Sequence, residues 1–156
     1  GSETELNEMD FIPVIEEAIA YIRVRTSSKI TIDDSAIKGV KRVVALNAPL
    51  MQWVIENILK NALDAIQNEG KITITIYENE HDVMPDISDN GKGMDGKTQR
   101  HIFDAGYTTK ERGWGLGLPL AKRIVEQYHG GKLLLKHSQQ GVGSTFRIVI
   151  KKPENS

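Results

Sequence analysis

Apolar residues recur every three or four positions in three stretches of the chain, which is the spacing of one buried helix face. The sequence therefore predicts three amphipathic helices, over residues 11–25, over residues 49–67 and from about Leu116 to Tyr128. Local signals agree for the middle helix: Asn47 is a candidate N-cap, and Glu69-Gly70 would end the helix.

Short runs of β-branched and aliphatic residues separate these helices and predict six strands: Lys29 to Asp33, Val43 to Leu46, Lys71 to Glu78, Val83 to Asp89, Lys132 to His137 and Thr145 to Lys151. The last two are close enough to form an antiparallel hairpin across Gln139 to Gly143. Pro85 removes a backbone donor from the fourth strand, so we expect that strand to be distorted or to lie at a sheet edge.

The order of these elements predicts an α+β fold, a two-layer sandwich with helices packed on one face of a mixed, mostly antiparallel sheet. The 156 residues suit one domain, which we expect over residues 3–152, with Gly1-Ser2 as a cloning scar and residues 153–156 as a tail. A formal net charge of -1 gives no reason to propose nucleic-acid binding, and the lack of cysteine excludes disulfides. No apolar run approaches the ~18 residues of a membrane span.

One face of the middle helix is polar in an unusual way. Asn57, Asn61 and Asp64 lie at i, i+4 and i+7 and therefore share a face. A solvated helix face is the ordinary interpretation, but asparagine is a poor helix former because its side chain competes for backbone hydrogen bonds. An asparagine carbonyl is also a neutral oxygen that suits Mg²⁺ beside phosphates.

Two glycine-rich segments follow, Asp89-Asn90-Gly91-Lys92-Gly93-Met94 and Gly113-Trp114-Gly115-Leu116-Gly117-Leu118. The first could be a simple surface turn, or its glycines could let the backbone approach a flat ligand while Asp89 accepts a hydrogen bond from an exocyclic amine. The second runs into a predicted helix, where free backbone N–H groups bind phosphate. Its GxGxG spacing is neither a dinucleotide fingerprint nor a Walker loop.

Taken in order, these motifs resemble those of the catalytic, ATP-binding domain of sensor histidine kinases, which has the Bergerat fold. The resemblance covers roughly residues 10–152 and rests on five motifs: Glu56 to Ala62 is similar to the N box, Asp89 to Gly93 to the first glycine box, Phe103 to the F box, Gly113 to Leu118 to the second glycine box, and Gly143-Ser144-Thr145-Phe146 to the motif that opens the last strand.

The resemblance implies roles for the matching residues. Asn61 would ligate Mg²⁺ while Asn57 supports the phosphates of ATP. Glu56 would orient or deprotonate the acceptor imidazole. Asp89 would bind N6 of adenine, with Thr145 helping directly or through water.

It further implies that residues 97–114 form a mobile ATP lid, with Phe103 as its hinge anchor, and that Gly91 and Gly93 shape the adenine wall. Lys110 would reach the terminal phosphates. The backbone at the start of the lid helix would open to the same phosphates at Gly113, Gly115, Leu116 and Gly117. Many members of the family carry lysine where this chain has Asp64, which shifts phosphate binding towards Lys60 and Lys110.

The family phosphorylates a histidine on a separate helical domain, and none of His81, His101, His129 and His137 has an acceptor-like setting. We therefore expect four ordinary surface histidines and an acceptor elsewhere in the parent protein. The predicted function is transfer of the γ-phosphoryl group of ATP to that histidine, with ADP as product and a response regulator downstream. We expect a monomeric isolated chain and a cytoplasmic location, and a membrane-anchored parent protein stays open. The alternatives are a related ATPase of the gyrase, chaperone or mismatch-repair type, in which Glu56 would activate water, and a degenerate module that senses nucleotide without transfer.

Overall fold

The computed structural model describes residues 5–107 and 117–154. Along these residues the elements are β1 (Asn7–Asp10), α1 (Phe11–Arg23), β2 (Ile30–Asp33), a 3₁₀ turn (Ser35–Ile37), β3 (Val43–Leu46), α2 (Ala48–Ala65), β4 (Gly70–Glu78), β5 (Asp82–Asp89), α3 (Gly96–His101), α4 (Gly117–Arg123) with a π-helical continuation (Ile124–Tyr128), β6 (Lys132–Gln139) and β7 (Gly143–Lys151).

Side-chain caps fix where the two long helices begin. Asp10 accepts a hydrogen bond from the backbone N–H of Ile12 (3.1 Å) at the start of α1, and Asn47 accepts one from Leu50 (3.1 Å) at the start of α2. The predicted cap at Asn47 is therefore confirmed. The predicted end of α2 is wrong: Ile66 is already extended, and the carbonyl of Ala65 accepts instead from Lys92 N–H (2.8 Å) in the loop after β5.

Five strands form one sheet in the order β2-β4-β5-β7-β6, parallel between β2 and β4 and antiparallel elsewhere. A separate two-stranded ribbon pairs β1 with β3. Of the two alternatives expected from Pro85, the edge position is wrong, because β5 is the central strand, and the local distortion is observed. Its ladder with β7 lacks pairs at Met84 and Pro85 but keeps one register on both sides of them, so the interior strand accommodates the proline as a local gap.

The helices cover one face of this sheet, as predicted. Alternate strand residues point into the core that they share with α1, α2 and α4, and these inward residues are Ile72, Ile74, Val83, Ile87, Leu133, Phe146, Ile148 and Ile150. The opposite, outer face is polar. On it, Asp86 is only 3% exposed and is paired with Arg147 (Nε–Oδ1 2.7 Å) and Lys136 (Nζ–Oδ2 3.2 Å).

Three elements lie where no regular structure was predicted: the strand β1, the 3₁₀ turn and the helix α3. The helix falls inside the segment that was expected to be an irregular lid, and Asp95 caps it by accepting from Thr98 N–H (2.8 Å). The predicted start of the last helix at Leu116 lies outside the described residues.

Candidate functional site

The polar side of α2 carries the side chains of the candidate site. Glu56, Asn57 and Asn61 are half-buried, whereas Asp64 is exposed. Gln52 donates from Nε2 to Oε2 of Glu56 (3.0 Å), one helical turn away, and so holds the carboxylate. The half-buried position of both asparagines shows that this is not simply a solvated helix face.

Asn57 lies where α2 meets the first residue of α4. Its Nδ2 donates to the backbone carbonyl of Trp53 (2.8 Å), which orients the amide. A Cβ added to Gly117 would lie 3.0 Å from Asn57 Oδ1, so glycine lets the start of α4 approach this side chain closely. The structure thereby brings Asn57 and Gly117 together, as their common assignment to the phosphates requires.

Lys60 is exposed on α2 and reaches towards α1. Its Nζ is 5.7 Å from the centre of the Tyr21 ring on α1, and Arg25 stacks on the same ring at 3.7 Å. The ammonium group therefore has an aromatic partner on α1. Lys110, Gly113, Gly115 and Leu116, which were also assigned to the phosphates, lie outside the described residues.

Asp89 ends the central strand on the helix-covered side of the sheet. It is 9% exposed, and Oδ1 accepts from the backbone N–H of Gly91 (2.8 Å). Burial raises the pKa of Asp89 above its usual value, and the backbone N–H groups of Gly91 and Ser144 oppose that rise. A carboxylate has about four acceptor positions, more than these two N–H groups fill, so Asp89 can receive a further donor in this buried setting.

At the two glycines after Asp89, other backbone atoms approach so closely that there is no room for a side chain. A Cβ on Gly91 would lie 2.3 Å from the carbonyl oxygen of Ala65, and one on Gly93, whose φ is +68°, would lie 2.0 Å from that of Gln139. The backbone of Lys92 is bonded on both sides of the loop: its N–H donates to the carbonyl of Ala65, and its carbonyl accepts from Gly141 N–H (2.7 Å). The loop is thus fixed between the end of α2 and the β6–β7 turn.

Thr145 lies on the wrong side of the sheet for its predicted role. It pairs across the ladder with Ser88, and their hydroxyl oxygens are 2.7 Å apart on the outer face. Ser144 is the residue opposite Asp89, 4% exposed, with its hydroxyl 2.7 Å from that of Ser138. Because neighbouring strand residues face opposite ways, Ser144 shares the face of Asp89 and Thr145 does not.

Phe103 lies between the sheet and α4. Its ring meets Phe146 edge-on at 6.2 Å between centroids, and Lys122 Nζ lies 4.9 Å from its centre. Lys122 is itself held by Glu126 (2.7 Å) and by the carbonyl of Leu133 (3.2 Å). Phe103 is therefore packed between the sheet and α4, with Lys122 as a partner that the sequence did not indicate, and its role as the hinge anchor of a lid stays a prediction.

The histidines divide into two groups. His81, His101 and His137 are exposed, as expected for surface residues. The same expectation is wrong for His129, which is half-buried and engages both ring nitrogens with backbone groups. The sequence around His129, a helix end followed by two glycines, does not indicate whether the histidine is exposed or half-buried.

The residues present fit Mg²⁺ bound mainly through phosphates. Among the described residues, no three histidine, cysteine, aspartate or glutamate side chains are grouped so that they could hold a metal. A half-buried asparagine such as Asn61 offers one neutral oxygen, which suits an ion that takes its other ligands from phosphate and water. In the part of the chain that the structure describes, no helix combines the length and apolar character needed to cross a bilayer.

Comparison with known proteins agrees with this geometry. The family described as histidine kinase-, DNA gyrase B- and HSP90-like ATPases matches residues 47–154. The signal transduction histidine-protein kinase AtoS of Escherichia coli (strain K12) is 39% identical over 102 residues, which are 65% of this chain and 16% of AtoS. The chain therefore spans about a sixth of the length of that relative.

Solved structures share the fold. The mycobacterial sensor histidine kinase MprB superposes with a TM-score of 0.82 and 23% identity over 95% of this chain and 99% of that one. Histidine kinase ThkA, in complex with response regulator protein TrrA, gives 0.77 and 21% over 97% of this chain and 43% of the ThkA chain.

Proposed function

Because the chain belongs to the family of histidine kinase-, DNA gyrase B- and HSP90-like ATPases, we propose that it is the ATP-binding catalytic domain of a sensor histidine kinase. Its acceptor would be a histidine on a dimerisation domain of the same parent protein, and its downstream partner a response regulator. The similar kinase ThkA has been solved with such a regulator. We place the reaction in the cytoplasm, where ATP is available.

The observation that carries this proposal is the arrangement along α2. The loop after Asp89 is fixed to Ala65 at one end of the helix, and Asn57 meets Gly117 about two turns earlier, roughly 12 Å along the axis. Asn61 lies between them. A base bound at Asp89 would therefore direct its phosphates along the polar face of α2 towards Asn57.

Each group has a defined part in this arrangement. The buried carboxylate of Asp89 accepts the N6 amine of adenine, and Ser144, in place of Thr145, assists from the neighbouring strand. Mg²⁺ held by Asn61 would supply charge compensation for the phosphates. Glu56, oriented by Gln52, faces the acceptor imidazole.

The transfer itself breaks the bond between the γ-phosphorus and its bridging oxygen, and ADP leaves with that electron pair. The new bond joins the phosphorus to a nitrogen of the acceptor imidazole, and Glu56 receives the proton displaced from the ring. Hydrolysis by the same site would use water as the nucleophile and release phosphate.

Two measurements test the proposal. Calorimetric titration should show ATP binding that Mg²⁺ strengthens, and Asn61→Ala should remove most of the Mg²⁺ enhancement without lowering the melting temperature of the free protein, because alanine is the better helix former. Mixing the chain with the histidine-bearing domain should yield acid-labile, base-stable phosphohistidine, more slowly for Glu56→Ala. Rapid phosphate release by the chain alone would instead identify a hydrolase.

A further inference from the structure

His129 ends α4 with both ring nitrogens bonded to backbone. Nε2 accepts from the N–H of Asn47 (3.1 Å), and Nδ1 is 3.0 Å from the carbonyl oxygen of Ile124. An N–H group can only donate and a carbonyl can only accept. The ring must therefore be neutral, with its hydrogen on Nδ1.

The two backbone partners belong to the ends of two different helices. Asn47 is the N-cap of α2, and Ile124 opens the π-helical turn that continues α4. Gly131 N–H closes that turn on the carbonyl of Val125 (3.0 Å), which places the imidazole over the start of α2. The side chain thus ties one helix end to the other.

The same helices meet again at the candidate site, where Gly117 of α4 packs on Asn57 of α2. The two contacts are ten residues apart along α2, about 15 Å at the helical rise. A helix that is held at two separated points resists sliding and rotation on its neighbour. The bond at His129 therefore controls where the start of α4 lies relative to the two asparagines of α2.

We propose that His129 is a positioning residue of the nucleotide site, whose neutral imidazole holds α4 against α2 so that Gly117 and Asn57 keep one geometry towards the phosphates. This inference rests on the proposed nucleotide binding. His129 would then affect nucleotide affinity without contacting the nucleotide, by holding the two helices that carry Asn57 and Gly117.

Protonation would break the hydrogen bond from Asn47 to His129, since a hydrogen on Nε2 would face the N–H of Asn47. Burial lowers the pKa of His129, so the neutral form predominates near pH 7. Nearby charges do not compensate: on α4, Glu126 is paired with Lys122, and Arg123 is bonded to Gln127. On the β1 side, Glu5 offers its backbone carbonyl to Asn47, and α2 carries no charge before Glu56.

Two substitutions separate the two bonds. In His129→Gln the amide oxygen can accept from Asn47 as Nε2 does, and it does not titrate. In His129→Asn the amide nitrogen can still donate to Ile124, but no atom reaches Asn47. His137→Gln, an exposed histidine on the outer face, is the matched control.

Affinity for Mg²⁺ and a non-hydrolysable ATP analogue should be measured by calorimetry at pH 8 and at falling pH, while the His129 imidazole is followed by NMR, together with melting temperatures. At pH 8 we expect His129→Asn to bind five- to tenfold more weakly and His129→Gln to stay within about twofold of wild type. As the pH falls from 8 through the lowered pKa of His129, the wild type should lose affinity relative to His129→Gln, a ratio in which protonation of the ligand cancels. His137→Gln should follow the wild type.

A purely structural histidine would give another result. His129→Asn would then melt earlier yet bind the nucleotide like wild type, and the wild-type and glutamine proteins would keep a constant affinity ratio while the His129 imidazole, followed by NMR, becomes protonated. Either finding overturns the inference while leaving the proposed function intact. If the wild type binds no nucleotide at pH 8, the proposed function fails, and the inference fails with it.

Discussion

At the scale of single residues, β5 carries two buried aspartates with opposite tasks. Asp86 faces outward, and its charge is neutralised within the protein by Arg147 and Lys136. Asp89 faces the helices, has no cationic partner among the described residues and bonds only backbone N–H groups. A buried carboxylate without a counter-charge is costly for folding, which is typical of a group kept for a ligand.

Replacing each aspartate by asparagine should separate these tasks. Asp89→Asn loses the charge of an acceptor whose hydrogen bond is worth about 1.5–3 kcal/mol, so ATP should bind roughly tenfold more weakly or worse. Asp86→Asn should leave ATP affinity unchanged and lower the free energy of unfolding by about 1–3 kcal/mol. Calorimetry and denaturant titration give the two quantities. Unchanged ATP affinity in Asp89→Asn would refute the adenine assignment.

The neighbouring pair on β7 gives a second test of which sheet face binds the base. Ser144→Ala should weaken ATP binding several-fold, because it removes a hydroxyl on the face of Asp89. Thr145→Val should cost about 1 kcal/mol of stability through its lost bond to Ser88 and leave ATP binding as it was. Nucleotide titration of both variants tests which of the two residues assists Asp89. A loss of ATP affinity in Thr145→Val but not in Ser144→Ala would support the original prediction for Thr145.

At the scale of elements, the glycine loop is held by backbone contacts that only glycine permits. Gly93 and Gly141 both have positive φ, of 68° and 78°, so alanine strains either position. An added Cβ would lie 2.0 Å from the Gln139 carbonyl oxygen at Gly93 and would meet no atom within 4 Å at Gly141. Gly93 is therefore needed for both its backbone conformation and the close approach to Gln139, whereas Gly141 is needed only for the conformation of the β6–β7 turn.

Gly141→Ala should lower the free energy of unfolding by about 1–2 kcal/mol, the cost of a left-handed alanine, and should not change ATP affinity. Gly93→Ala should be clearly less stable than Gly141→Ala. It should also bind ATP more weakly, because relieving the clash moves the segment that follows Asp89. Equal stability of the two variants in denaturant titration would contradict this account of the loop.

The sequence predicted the elements with strong periodicity and missed those without it. Both long helices and the six predicted strands are present because their apolar spacing is explicit. The strand Asn7–Asp10 has no alternation and forms only by pairing with the distant β3. The helix Gly96–His101 buries a single residue, Thr98, so it shows no apolar stripe.

The motifs predicted which residues lie at the candidate site, as at Asn57, Asp89 and Phe103, and the roles of these residues stay predictions. The site was not predictable where the outcome depends on pairing register or on tertiary contact. Motif order alone could not say that Ser144 rather than Thr145 shares the face of Asp89. Nor could it show that Lys60 turns to Tyr21, or that His129 reaches Asn47 on another helix.

At the scale of the whole molecule, the proposed nucleotide site lies along one side of α2 and the loop after Asp89. On the outer sheet face, Asp86 is paired with Arg147 and Lys136. Histidines are absent from the residues that line this site. His129 is committed to Asn47 and Ile124, His137 lies on the outer face next to Thr145, and His101 pairs with Asp104 (2.7 Å). Under the proposed function, the phosphoryl acceptor would therefore be a histidine outside this domain.

The isolated chain should consequently bind ATP without labelling itself. Incubation with Mg²⁺ and γ-labelled ATP should leave the chain unlabelled, because none of its described histidines can present a free imidazole nitrogen beside Glu56. Addition of the histidine-bearing domain should produce label on that domain only, and Asp89→Asn should abolish the label at ATP concentrations below its weakened dissociation constant. The measurement is label stability in acid and base followed by peptide mapping. Acid-labile label on His81 or His101 of the isolated chain would contradict both the geometry of the acceptor and the division of labour proposed for the parent protein.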